Sequence, residues 1–420
     1  MASGLIFFRR NQVMQTHEET SRQGLVVICG AGIAGLAAAW WLQRAGWRVL
    51  MVEQADALRD GGHMMGLSGP GLATVRRMDL VPRLSELAYP DMGKHIYRDR
   101  LGREILRINY REALAGIEWL TLRRGVLVQE LHAALPIRDI AWRFGVTVQE
   151  ALNHDSGVRV TLSDGSCHEA DLLIAADGVH SPLRRRYFAA DADCLRPLGY
   201  RYASYEVQDS LMLGKDFLCY AEPGIQTEYY GLCDGRLAAL HVWRSREAGF
   251  VAPAQRQSLL RACTARSFAG VRTALEAVEN SQEIVIDDLV LVELPSWRQG
   301  RILLLGDAAH SLSLISGQGA GLALASASIL AEELERAAAG TIAPSAAGLE
   351  VALARHDQRL RPTVMRLQHR SRKLAPMYVP STRVGFAMRN FVLRAMPDVL
   401  LKRYFASGLK SEAQALAALA

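Results

Sequence analysis

The chain has no apolar run approaching the ~18 residues that a membrane-spanning helix requires. Its six cysteines (Cys29, Cys167, Cys194, Cys219, Cys233 and Cys263) form no C-x-x-C pair and stand beside no paired histidines, which argues against a zinc site and a disulfide framework. A reducing, cytoplasmic setting fits that usage. Internal repeats and low-complexity tracts are also missing. With 50% hydrophobic and 22% charged residues, the composition excludes disordered and collagen-like chains. Residues 1–23 carry no convincing secretory signal or anchor, since the short patch Leu5–Phe8 runs straight into Arg9-Arg10 and polar sequence. They read as a loose leader. Most of the chain also lacks excess positive charge. Of the net +6, the segment from Arg355 to Arg403 carries +10, with 12 Lys/Arg against Asp357 and Asp398, so the remainder sums to −4. A basic tail on an acidic body does not point to nucleic acid.

What is present begins with Leu25–Cys29 (LVVIC), a continuous apolar run of the kind buried on both faces of a parallel sheet. The turn Gly30-Ala31-Gly32-Ile33-Ala34-Gly35 follows at once. An Ala-rich helix over 33–45, closed by Gly46, then leads to a second strand over 47–53, completing a βαβ unit. Gly30 permits the tight turn, Gly32 lets the backbone approach a pyrophosphate, and Gly35 lets helix and strand pack closely. Ile33 and Ala34 open a helix whose N-terminus attracts phosphate charge. Glu53, 18 residues past Gly35, sits where a carboxylate takes both ribose hydroxyls and repels a 2′-phosphate. The ligand is therefore FAD or NAD, not NADP.

A later strand over 301–305 ends in Gly306-Asp307-Ala308-Ala309-His310, which places a carboxylate at the strand's C-terminal edge, able to accept hydrogen bonds from a ribityl chain. Gly317-Gln318-Gly319 then opens a helix of small and apolar residues. Its N-terminal amides would face the flavin ring where negative charge develops on reduction. This selects FAD over NAD.

Between these motifs the pattern predicts a helix near 72–78, a hairpin over 95–108 turning at Leu101-Gly102, and a helix over 122–134. It continues with a meander over 145–176 and a mostly antiparallel module over 195–295 holding one helix near 254–279. Everything after 318 reads as helical, broken at Pro362, Pro376, Pro380 and Pro397. The fold class is α/β, α+β overall. A Rossmann-like FAD-binding domain comprises 24–93, 109–194 and 296–375, with an inserted antiparallel β-sheet domain over 94–108 and 195–295 for substrate and a basic helical segment over 376–420.

The stretch ADLLIAADGVHS (170–181) adds Asp177-Gly178. With the other motifs it makes the chain resemble the para-hydroxybenzoate-hydroxylase-like single-component FAD monooxygenases over roughly 24–373. The resemblance implies that Asp177 and Gly178 serve both FAD and NAD(P)H, with Arg184 in the family's basic position. Arg124, in LRRGVL (122–127), resembles the helix arginine that meets the cofactor, Arg123 being the surface alternative. Gly61-Gly62-His63-Met64, Gly69-Pro70-Gly71 and Pro295-Ser296-Trp297 resemble the branch of tetracycline-inactivating and natural-product hydroxylases. Two departures stand out: Leu314 replaces a usual proline, and Ala325-Ser326 replace Glu-Asp.

The implied activity is NADH- or NADPH-dependent hydroxylation of a lipophilic aromatic or polycyclic molecule by O2 through a flavin C4a-hydroperoxide. The chemistry is flavin-borne, so no catalytic triad is expected. His310 and Gln318 are candidate flavin-ring neighbours. Tyr229, His241, Trp243 and Arg244 on the 195–245 sheet are candidate substrate contacts, Arg244 as an orienting group for a phenolate or enolate. The alternatives are a flavin reductase or oxidase and a non-catalytic drug- or polyketide-binding flavoprotein. No metal site is expected. Residues 381–405 interleave Phe, Val, Leu and Met with Arg and Lys, which fits a membrane-surface helix or a helix packed with its basic face in water. Monomer and dimer both remain open.

Overall fold

The computed structural model describes residues 24–396 apart from 59–60, 62–63, 90–92, 110–111, 113–117, 137–139, 210, 233–234, 279–283 and 339–343. The expected leader, Gly62-His63, Pro397 and the rest of the C-terminal segment lie outside the described residues. The apolar run Leu25–Cys29 sits inside a six-stranded central sheet. Its order is 298–299, 302–304, 172–175, 25–29, 48–53 and 140–144, parallel except for the first edge strand. Val26, Val27 and Ile28 are wholly buried, as a strand covered on both faces requires. The helices Ile33–Arg44 and Gly319–Ala338 pack together in this core, joined by Val158, Val160 and Leu162 of a three-stranded antiparallel sheet. Helix Gly69–Arg77 crosses Gly319–Ala338 almost backbone to backbone: a Cβ on Gly71 would lie 2.5 Å from Gly321 Cα.

A seven-stranded outer sheet runs in the order 285–292, 195–208, 236–244, 225–231, 217–222, 94–98 and 104–109. The hairpin at 94–109 joins it through a parallel pairing of Lys94–Arg98 with Phe217–Glu222. One face is covered by helices Pro253–Thr264 and Ala269–Glu276, whose Leu260, Val271 and Leu275 pack with Tyr205, Tyr229 and Trp243. Leu240, Val242 and Leu289 on the opposite face meet Ala375 and Val379 from the end of the long helix Ala346–Tyr378.

Three expectations change. The single helix over 254–279 is two, parted at 265–268, where Ser267 N–H donates to Thr264 C=O at 2.9 Å. The break lets Leu260 and Val271 both reach the sheet. The helix expected from 122 starts at Arg124, because Trp119–Arg123 is a strand paired with Met64–Ser68. Pro362 and Pro376 do not break the long helix. Both are exposed, and so are Gln358 and Arg372 four residues earlier, whose freed carbonyls lie on the side water reaches. Pro380 does coincide with a break, and helix Arg383–Ala395 follows. That helix leaves Val384, Met388, Phe391 and Val392 exposed in one stripe, while Arg389 beneath donates to the carbonyls of Met377 and Tyr378. Among the described residues no helix is long and apolar enough to cross a membrane.

Candidate active site

The glycine turn is fitted to its surroundings atom by atom. Gly30 has φ +107°, and a Cβ there would lie 2.4 Å from the carbonyl oxygen of Ala176. A Cβ on Gly35 would lie 1.9 Å from Gly30 O, so helix and strand could not approach. Gly32 differs: its nearest neighbour is the Arg124 guanidinium, 3.8 Å from the Cβ position, and its φ is an ordinary −80°. Space is kept at Gly32 on the cleft side. Glu53 closes the turn, its two carboxylate oxygens accepting from Ala31 N–H at 2.8 Å and Ala55 N–H at 3.0 Å. Gly30, Gly32, Glu53, Arg124, Asp177 and Gly178 together line a cavity of about 350 Å³.

Asp177 and Gly178 stand at the end of strand Leu172–Ala175, beside the glycine turn. Burial pushes the Asp177 carboxyl above its ordinary pKa, and its Oδ1 is buried with no hydrogen-bond partner among the described residues. Arg184 is fully buried and works as a tie. Its guanidinium pairs with Asp191 at 2.7 Å and reaches Ala308 C=O at 3.4 Å, joining this segment to the Gly306-Asp307 turn. His180 bridges outward to Asp287 of the outer sheet at 2.9 Å.

A second cavity, about 430 Å³, continues past Arg124. Gly32, Ile33, Ala34, Asp307, Gly317 and Gly319 form its cofactor side. Gly306 takes φ +63°, and a Cβ there would lie 2.6 Å from Ala34 Cβ. The Asp307 side chain opens into the cleft yet is walled by protein. That enclosure holds its pKa up, opposed by the Arg124 charge. Gly317 has φ +64°, and Ser316 Oγ accepts from Gln318 N–H at 3.1 Å.

Neither proposed flavin-ring side chain is among the residues lining these two cavities. Gln318 is buried next to Gly321. His310 lies in the core with its ring 5.0 Å from that of Trp297, and burial lowers its pKa to about 3.

The outer sheet forms the far wall with Tyr202, Glu228, Leu240 and Leu289, joined by Tyr378, Leu314, Met64, Met65 and Trp119. The structure does not bring Tyr229, His241 and Trp243 to it. Strand side chains alternate between faces, and these three share the face buried under the two helices. His241 is held between Thr227 at 2.9 Å and Tyr205 at 3.0 Å, with its pKa lowered to about 3 by burial. Arg244, at the strand's end, is exposed and lies 5.7 Å over the Tyr200 ring, outside the lining. Of the two arginines Arg124 is at the cleft, whereas Arg123 faces Glu206 at 3.9 Å. The sequence reading missed Tyr202, Glu228, Leu240 and Tyr378. Only Glu228 left a signal, as an acid between Thr227 and Tyr229-Tyr230 in a largely buried strand.

The donor set suits FAD. A glycine cradle with open space and an arginine between the two cavities match its pyrophosphate, Glu53 its ribose and Asp307 at the cleft its ribityl chain, while the buried Asp177 Oδ1 lacks a donor among the described residues. The family described as FAD binding domain matches residues 24–190 and 270–350. A flavin-dependent monooxygenase from an unknown prokaryotic organism is 28% identical over 322 residues, spanning 74% of this chain and 81% of that one. The 2-heptyl-3-hydroxy-4(1H)-quinolone synthase of Pseudomonas aeruginosa (strain UCBPP-PA14) is 31% identical over 321 residues, 73% of this chain and 79% of the synthase. In structure, tetracycline destructase Tet(51) superposes with a TM-score of 0.78 at 23% identity, covering 93% of this chain and 98% of its own. The chain belongs to the FAD-binding-domain family and is a flavin-dependent monooxygenase of the single-component aromatic-hydroxylase kind.

Proposed function

We propose that the protein uses NADH or NADPH and O2 to hydroxylate a lipophilic aromatic or polycyclic small molecule. The observation that carries this reading is the second cavity, where Asp307 and the Gly317–Gly319 turn face a wall of Met64, Met65, Trp119, Leu240, Leu289 and Leu314. The relatives named for a quinolone product and for tetracycline support a ring-system substrate. Bound FAD supplies electron transfer from the nicotinamide and activation of dioxygen. The chain's residues do the rest. Gly32 and the N-terminus of helix Ile33–Arg44 receive the pyrophosphate, and Glu53 receives the ribose. Asp307 accepts from the ribityl hydroxyls beside Arg124, while the apolar wall excludes water and seats the ring. The test is NAD(P)H oxidation with and without polycyclic phenols and alkylquinolones, with mass analysis of products. Oxidation stimulated by the compound with gain of one oxygen is the expected result. Oxidation without oxygen transfer assigns a reductase or oxidase instead.

A second reading concerns location. We propose that helix Arg383–Ala395 rests on an anionic membrane surface. Its outward stripe of Val384, Met388, Phe391 and Val392 and the +10 charge of 355–403 complement lipid headgroups and acyl chains. Sedimentation with phosphatidylglycerol vesicles, reduced by Phe391→Ser and by added salt, supports it. Absence of pelleting refutes it.

A further inference from the structure

Resting on the monooxygenase reading, we propose that Glu228 is the polar anchor of the substrate cavity. Its carboxylate accepts a hydrogen bond from a hydroxyl or ring N–H of the substrate, restricting substrates to phenols, enols and N–H heteroaromatics.

Four acids line the cavity, and three are committed. Asp287 bonds His180, Asp288 pairs with Arg201 at 2.8 Å and accepts from Gly249 N–H, and Asp307 belongs to the cofactor turn. Glu228 has no cationic partner among the described residues. It stands in strand Ile225–Gly231 directly opposite Leu240 on one side and Cys219 on the other. Both of its donors among the described residues reach the same oxygen: Tyr378 O–H donates to Oε1 at 2.6 Å and Gln226 Nε2–H at 2.8 Å. Oε2 takes neither bond, and the residue lines the cavity. The side chain is therefore fixed in orientation with half of its accepting capacity left for something in the cleft.

The surroundings leave the anchor's charge unneutralised. The ligand atoms of His95, Cys219 and Glu228 lie within 4.8 Å of one another. Burial lowers the His95 pKa to about 3 and pushes the Cys219 thiol well above its ordinary value, so both are neutral. Tyr378 and Tyr230 are neutral as well, their hydroxyl pKa values raised by burial. Arg389, from the neighbouring helix, is occupied with the Tyr378 carbonyl at 3.1 Å. Burial also raises the Glu228 pKa against the opposing hydrogen bonds from Tyr378 and Gln226, which favours the neutral acid until a further donor at Oε2 stabilises the carboxylate. A substrate hydroxyl placed there shifts electron density into its ring, the ring position that must attack an electrophilic oxygen.

The FAD-loaded protein is titrated with β-naphthol and with its methyl ether, following the flavin absorbance. Wild type binds the naphthol at least about tenfold more tightly, the worth of one hydrogen bond to a charged acceptor. In Glu228→Gln the ratio falls to within about threefold. Tyr378→Phe, which removes a donor and leaves the carboxylate, keeps a preference for the naphthol. Cys219→Ser keeps it too, whereas a metal ion held by His95, Cys219 and Glu228 would lose it. Equal or undetectable affinity of wild type for the two compounds, or the same ratio in wild type and Glu228→Gln, overturns the anchor. Reduction of the flavin by NADH and by NADPH is read separately, with and without each compound. Its failure in wild type under every one of these conditions counts against the monooxygenase reading alone.

Discussion

Gly30 and Gly32 are two residues apart in one motif, yet the structure assigns alanine substitutions there opposite consequences. At Gly30 the new Cβ would lie 2.4 Å from Ala176 O and 2.8 Å from its carbonyl carbon, with φ at +107°. Backbone atoms cannot swing aside as a side chain would. The left-handed conformation costs roughly 1–2 kcal/mol and the overpacking a further ~1–3 kcal/mol, so Gly30→Ala loses about 2–5 kcal/mol of stability with or without FAD. At Gly32 the new methyl meets only the Arg124 guanidinium, at an ordinary 3.8 Å, with φ at −80°. Apoprotein stability is unchanged or slightly raised, because alanine narrows the unfolded ensemble. The same methyl occupies the approach to the pyrophosphate. Losing one charge-assisted hydrogen bond there, worth roughly 1.5–3 kcal/mol, weakens FAD at least about tenfold. The assay is a thermal melt of the flavin-stripped protein beside a fluorescence titration with FAD. A Gly32→Ala apoprotein that melts as low as Gly30→Ala, or that binds FAD like wild type, refutes the reasoning.

His310→Ala removes a buried ring packed on Trp297, costing about 2–4 kcal/mol, and leaves the bound-flavin spectrum unchanged. A shifted spectrum at unchanged stability would restore His310 as a flavin neighbour. The hydrogen bond that His180 donates to the Asp287 carboxylate raises the His180 pKa, with smaller opposing effects from partial burial and Arg184. The folded protein therefore holds this proton more tightly than the unfolded chain. The contribution is full below the ordinary imidazole pKa of ~6.5 and fades as pH rises through the higher folded value. The melting difference between wild type and Asp287→Asn is expected to be larger near about pH 6 than near about pH 9, and a difference that grows with pH contradicts the assignment.

The cofactor half of the site was legible because its geometry is local. Gly30, Gly35 and Gly306 must be glycine where a backbone or a neighbouring methyl comes too close, and each lies within a few residues of the strand it follows. The substrate half was not. Both faces of the outer sheet are covered, one by two helices and the other by the long helix and the cleft, so the strands show no clean polar alternation to mark the cleft side. Tyr229 offers a ring but packs under the helices, while the residue lining the cavity is Glu228, one position earlier. The register shift between Pro197 and Arg201 further hides which face Tyr202 occupies. Tyr378 was out of reach for another reason. Proline at 362 and 376 reads as an interruption, whereas exposed prolines let one helix run on to the cavity.

The crossing of Gly71 over Gly321 fixes where this enzyme can be remodelled. With no side chain between them, the helix behind the Met64–Ser68 strand and the helix beginning at Gly319 are in direct backbone contact, so a shift of one displaces the other. Broadening the range of accepted ring systems by exchanging residues in that pair would disturb the seat of the flavin as well. The opposite wall meets the cofactor half through hydrogen bonds at its edge, His180 with Asp287 and Ser311 Oγ–H with Val290 C=O, and not through a backbone crossing. A library confined to Leu240 and Leu289 is expected to alter the shape of the substrate chamber while redox function stays intact, whereas Tyr202 lies within the field of Arg124 and Asp307 and is left in place.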